Sequence, residues 1–157
     1  MKTQLINLIS KVTLLSAMVL LTSVASVQAQ SLAYRVKVNI PFDFTVGEKK
    51  LPAGEYSVGR TLQRSDDIVV QLSDLAGRAK AIRLTNATIT SQPNKKSSLV
   101  FHRYGDQYFL FQVWPAGATV GRQFPESGSE RTQRQLAKNS VAENMKCETV
   151  TIAGALQ

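Results

Sequence analysis

The sequence is poor in the residues from which compact catalytic and metal centres are built. Its 157 residues include one histidine and one cysteine. A four-ligand Cys/His zinc site within one chain is therefore excluded, because several such ligands must converge on the metal. A single cysteine also cannot cross-link the chain to itself. Charged residues amount to 19%, with nine glycines and five prolines, which fits neither a disordered tail nor a collagen-like or coiled-coil chain. The P-loop, G-x-G-x-x-G, H-E-x-x-H, G-x-S-x-G and EF-hand patterns are missing. What remains, with 43% hydrophobic residues, is the make-up of one folding unit, too short for two full-sized domains.

Long apolar runs are also scarce. Lys2 and Lys11 are the only charges before an uncharged stretch from Val12 to Val24. At about 1.5 Å per helical residue, about 13 residues fall well short of the roughly 30 Å hydrocarbon layer. Val27-Gln28-Ala29 then supplies small residues where a signal peptidase reads them. The expectation is a signal peptide over 1–29, cleavage after Ala29, and export to the periplasm or the medium. No cysteine near that site suggests a lipid anchor, and no stable membrane span is expected in the mature chain.

Without residues 1–29 the chain keeps 17 basic and 11 acidic side chains. Such a surplus attracts anionic partners, and a polysaccharide or an envelope component is the candidate; export argues against genomic DNA. The basic residues are dispersed, in runs no longer than a pair such as Lys95-Lys96. A solvated surface that keeps the protein soluble is the plainer explanation.

From Ala33 to Ile40 the chain alternates, with Tyr34, Val36, Val38 and Ile40 on one side and Arg35, Lys37 and Asn39 on the other. This is the signature of a half-buried strand. The alternation continues through Phe42, Phe44 and Val46 to a turn at Gly47-Glu48-Lys49-Lys50. Pro41 has no N–H and should mark a bend or an edge. Leu51-Pro52-Ala53-Gly54 and Asp74-Leu75-Ala76-Gly77 are turn signals. They separate strands at 55–58, 67–72, 79–84 and 87–90, and 91–97 reads as a polar loop. Turns recurring at this spacing mark sandwiches and barrels.

Ser98 to Trp114 holds two apolar runs around Gly105-Asp106, and Gly at the first central position suits a type II′ hairpin turn. Counting outward from that turn pairs His102 with Phe109, Phe101 with Leu110 and Val100 with Phe111. One face is then Leu99, Phe101, Arg103, Tyr108, Leu110 and Trp114. The other is Val100, His102, Tyr104, Phe109, Phe111 and Val113. A hairpin apolar on both faces belongs centrally in the sheet structure. After Pro125, Ser127 with Glu130 and Ser140 with Glu143 match the S-x-x-E capping box. Helices are predicted at about 128–138 and 141–146, before a last strand over 148–152.

Three segments carry a resemblance: Val38 to Gly47 (VNIPFDFTVG), Leu51 to Tyr56 (LPAGEY) and Leu99 to Asp106 (LVFHRYGD). Through them the chain resembles a group of small, uncharacterised secreted bacterial proteins, over most of its mature length. The resemblance implies export and a single domain, and brings no activity, catalytic residue or cofactor with it.

The candidate site residues are few. His102 would need a nucleophile and an orienting carboxylate to be catalytic; Asp106 sits in the turn, so a packed, hydrogen-bonded imidazole is the plainer reading. Cys147 is either a sheltered free thiol or half of an intermolecular disulfide. Asp66-Asp67 would point to opposite faces of a strand, unlike the convergent carboxyls of a glycosidase. Tyr104, Tyr108 and Trp114 offer rings for stacking on a sugar if exposed, with core packing the default.

These observations predict a mainly β, single-domain antiparallel sandwich or partly closed barrel over 30–157, with a helical insertion at about 128–146. The function they favour is that of a non-enzymatic envelope or extracellular module that binds a partner through its surface, with no catalytic residue, cofactor or metal. The alternatives are a hydrolase or other enzyme with a dispersed site, and a structural subunit of an envelope assembly.

Overall fold

A computed structural model of the chain describes residues 35–60, 69–139 and 146–156, all within the compact unit Ala33–Gln157. The predicted signal peptide, Tyr34, the Asp66-Asp67 pair and the second predicted helix lie outside them, apart from Lys146 at that helix's end. The elements are β1 (Arg35–Ile40), β2 (Phe44–Val46), β3 (Lys49–Leu51), β4 (Gly54–Arg60), β5 (Val69–Ser73), β6 (Ala79–Leu84), β7 (Asn86–Ile89), β8 (Ser97–Tyr104), β9 (Gln107–Trp114), β10 (Val120–Gln123), α1 (Gly128–Asn139) and β11 (Glu148–Leu156). The protein is mainly β, with one helix near the C-terminus at 128–139.

The strands form one sheet in the order β3-β2-β9-β8-β11-β1-β4-β5-β6, with β10 joining β7 to β9. Pairing is antiparallel except where β2 meets β9 in parallel at Thr45 and Phe109. The sheet curls into a nearly closed barrel. Alternation in β1 does what its period requires: Val36, Val38 and Ile40 are buried while Arg35, Lys37 and Asn39 are exposed. The same logic sends Phe44 and Val46 inward from β2 and Val70 and Leu72 inward from β5.

Phe101 is fully buried in this core. Its ring meets Phe42 and Phe44 edge-on at 5.3 and 5.6 Å, and Phe44 in turn meets Tyr56 at 5.3 Å. Tyr56 donates its hydroxyl to the Pro52 carbonyl at 2.7 Å, so one ring fills the core and also ties down the 51–54 turn. Each fully buried side chain of this size is worth about 1.5–3 kcal/mol.

The β8–β9 hairpin has the predicted two-residue loop, with Gly105 at φ 60 and pairs running from Tyr104↔Gln107 to Phe101↔Leu110. Beyond that the predicted register is corrected. Val100 faces Gln112, not Phe111, because Phe111 is an extra residue in a β-bulge. The bulge reverses the alternation of β9. Val113 joins Leu99 and Phe101 in the interior, and Trp114 moves to the outer face opposite Ser98.

The strand β11 joins the two halves of the sheet. Glu148 to Gly154 pair with β8, and Ala155 and Leu156 pair with β1. A side chain at Gly154, where it changes partner, would place its Cβ 2.5 Å from Val36 Cγ1 and 2.8 Å from the Lys37 carbonyl.

At the other side β3 and β6 end the strand order without meeting. Arg83 of β6 reaches the end of β2, donating from Nε and Nη2 to the Val46 carbonyl at 3.3 Å. Gly47 stands at φ 62 beneath the same guanidinium, which a Cβ there would strike. Among the described residues this seam is where the barrel stays open.

The helix α1 packs outside the barrel. Ser127 Oγ accepts from the Glu130 amide at 3.1 Å, the predicted cap. A second cap comes from 80 residues away, where Glu48 Oε1 accepts from the Gly128 amide at 2.6 Å. That hydrogen bond holds the Glu48 carboxyl below the usual range, with Ser129 helping. Among the described residues no helix is long and apolar enough to cross a membrane.

Candidate functional site

The outward residues of β8 and β9 and the first turn of α1 bring the sequence's lone histidine to a carboxylate. His102 Nδ1 lies 2.7 Å from Glu130 Oε1, and the Glu130 side chain is 8% exposed against 22% for His102. The S-x-x-E pattern predicts that Glu130 folds back to its own cap. It reaches the sheet instead, because Ser127 and Glu48 already satisfy helix amides and the imidazole faces the first turn. The His102 ring is stacked on Phe111 at 3.9 Å and meets Tyr104 edge-on at 6.5 Å.

Around the pair lies a cleft of about 130 Å³, lined by His102, Tyr104, Phe111, Gln123, Phe124, Pro125, Glu126, Glu130 and Arg134. Arg134 is clamped onto Glu126 at 2.6 Å, and Arg131 approaches the same carboxylate at 3.6 Å. The Arg134 bond holds Glu126 below the usual carboxyl range. Burial pushes the Tyr104 phenol up, reinforced by the neighbouring Cys147 thiol.

A carboxylate on one ring nitrogen leaves the other basic, the arrangement used to activate a nucleophile. Among the described residues none of the cleft-lining side chains is a serine, threonine or cysteine. The cleft is also well below the roughly 300–1,000 Å³ usual for a small-molecule site. The His102–Glu130 contact joins α1 to β8.

The structure divides the other predicted residues. Tyr104 shares the cleft with His102, and Cys147, exposed and unbridged, lies beside its hydroxyl. Tyr108 is on the opposite face, stacked on Phe42 at 3.8 Å with the Arg103 guanidinium 5.6 Å from its ring centre. Trp114 is 9% exposed, donates Nε1–H to Gln112 at 3.0 Å, and has Gly121 against its ring. The rings of a would-be sugar platform are thus each engaged with protein neighbours. Among the described residues no group of three or more His, Cys, Asp or Glu is placed to hold a metal ion.

Larger hollows lie along the seam. One of about 330 Å³ is lined by Lys49 and Ala79 to Arg83, and one of about 450 Å³ by Gly47, Glu48, Ile82, Arg83, Leu84, Pro125, Glu126 and Ser127. They share Ile82 and Arg83. Sequence reasoning missed these residues, although an aliphatic pair at Ile82 and Leu84 beside Arg83 in a turn-bounded strand was visible. It also missed Glu130, whose only sequence signal was the capping box.

The chain matches no family model, no curated protein and no solved structure.

Proposed function

We propose that this chain is an exported β module that works by binding an anionic partner through its barrel surface, without catalysing a reaction. The observation that carries the reading is the location of its hollows. The barrel interior is filled by side chains, the cleft beside the His102–Glu130 pair is small, and roomier concavities lie on the surface: two along a seam bearing Lys49, Lys80 and Arg83, and one of about 380 Å³ beside Lys37, Tyr56 and Gly154. A rigid sheet presenting such a surface suits recognition. Export is supported by the leader pattern of residues 1–29 and by the resemblance to small secreted proteins.

The test is expression of the full chain with a C-terminal tag in a bacterium. The expected product is found in the periplasm or the medium, begins at Gln30 by mass spectrometry, and is retained on immobilised heparin until moderate salt. Retention in the cytoplasm with the leader intact, or flow through heparin at low salt, overturns the corresponding half of the reading.

The His102–Glu130 pair favours a second reading, a hydrolase in which His102 serves as general base. Loss of a hydrolytic turnover in His102→Gln, with the fold intact, would establish it in place of the first.

A further inference from the structure

We propose that the open seam is a peptide-binding edge, and that its occupant is an extended acidic polypeptide segment that adds to β6 as a further strand. The inference rests on the reading that the protein binds an anionic partner through its surface, and it names the place and the partner's chemistry.

Among the described residues both borders of the seam are strand edges without a partner strand. β6 pairs with β5 and β3 with β2, and they stand at opposite ends of the strand order. Such edges offer a row of backbone N–H and C=O groups to an incoming strand. Arg83 reaches from β6 to the Val46 carbonyl at the end of β2, and a hollow of about 330 Å³ lies between Lys49 of β3 and Ala79 to Arg83 of β6.

Side chains along the border supply the selectivity. Ile82 is 51% and Leu84 67% exposed, and they stand two residues apart, so they share one face and offer apolar purchase to alternate residues of the arriving strand. Lys49 and Lys50 of β3 are exposed. Lys80 and Arg78 are already held by Asp74 at 3.1 and 2.8 Å, while Arg83 donates to the Val46 carbonyl. At the Leu84 end the carboxylates of Glu48 and Glu126 are engaged by the Gly128 amide and by Arg134. The border therefore carries positive charge at the Lys49 end and an aliphatic face toward Leu84. A second copy offering its own β6 would set Lys80 and Arg83 against their like, so these cations discourage self-pairing and select an acidic segment. On binding, the Arg83 guanidinium leaves the Val46 carbonyl and pairs with a carboxylate of the new strand.

The probe is a fluorescent ten-residue peptide alternating glutamate and valine, titrated into the folded chain and followed by anisotropy. Three expected results support the proposal. Binding is saturable, Ile82→Glu/Leu84→Glu and Lys49→Glu/Lys50→Glu each weaken it at least tenfold, and a peptide with proline at alternate positions binds at least tenfold less tightly because it lacks the N–H groups. Should a doubly substituted chain misfold, hydrogen exchange in the unaltered chain replaces it, with peptide-dependent protection expected over Ala79–Leu84. Equal binding of the proline peptide, undiminished binding to a folded Ile82→Glu/Leu84→Glu chain, or absence of protection overturns the proposal. Heparin retention without peptide binding overturns it while leaving the broader reading in place; failure of both removes the two together.

Discussion

Glu130 of α1 and His102 of β8 meet at 2.7 Å across 28 residues of sequence, and this contact sets where the helix rests on the barrel. The carboxylate is almost fully buried and its partner mostly so. Removing one member of a buried pair leaves the other desolvated and uncompensated, whereas replacing both by apolar groups is often nearly neutral.

A double-mutant cycle tests that relationship. His102→Phe and Glu130→Leu are each expected to lower stability by about 3 kcal/mol, and the double substitution by clearly less than the two together. Urea unfolding of the four proteins measures it. Strict additivity would mean that the two side chains do not act as a pair.

Asp74 gives a pH dependence with a defined sign. Burial tends to raise its carboxyl, but the Arg78 amide, Lys80 and the Arg78 guanidinium overcome this and lower it to about 2. A folded-state pKa below the unfolded value of about 3.9 contributes stability that is present in full above the unfolded value. It is lost as pH falls through about 2. The unfolding midpoint of wild type should therefore exceed that of Asp74→Asn at pH 6 and converge on it near the folded value.

Phe101 and Trp114 test the two faces of the bulged hairpin. Phe101→Ala should cost about 3–5 kcal/mol, since its ring contacts Phe42 and Phe44. Acrylamide should quench Trp114 weakly in the folded protein, because the indole is 9% exposed. Efficient quenching would place the ring in solvent and contradict its packing against Gly121.

Gly154 should tolerate no side chain. Gly154→Val sets a branched group against Val36 and the Lys37 carbonyl, and neither the packed strand nor its backbone can move aside. The expected outcome is a large loss of stability in thermal unfolding, with Gly77→Ala, where the space is open, as the milder control, its cost confined to backbone strain at φ 76.

Much of the fold was legible because period-two alternation is a local property. Val36, Val38 and Ile40 announce a buried face without reference to anything distant, and Gly105-Asp106 fixes a hairpin loop by backbone chemistry alone. The bulge at Phe111 was not legible: Tyr108 to Trp114 is apolar almost throughout, so shifting it by one residue leaves the pattern nearly unchanged. The candidate site was half legible. His102 stood out by its rarity, but its partner depends on how a helix docks after the sheet has formed, and the seam depends on which strands are left at the ends of the order. Neither relation has a local signature.

The position of β11 between β1 and β8 has a consequence for how the molecule comes into being. A chain emerging from a ribosome or a translocation pore with its N-terminus first delivers β1 and β8 long before residues 148–156 arrive to join them. Until then two sticky borders wait open, and the halves of the sheet have no shared strand. Closure of the sheet is thus held back until the last strand has been delivered.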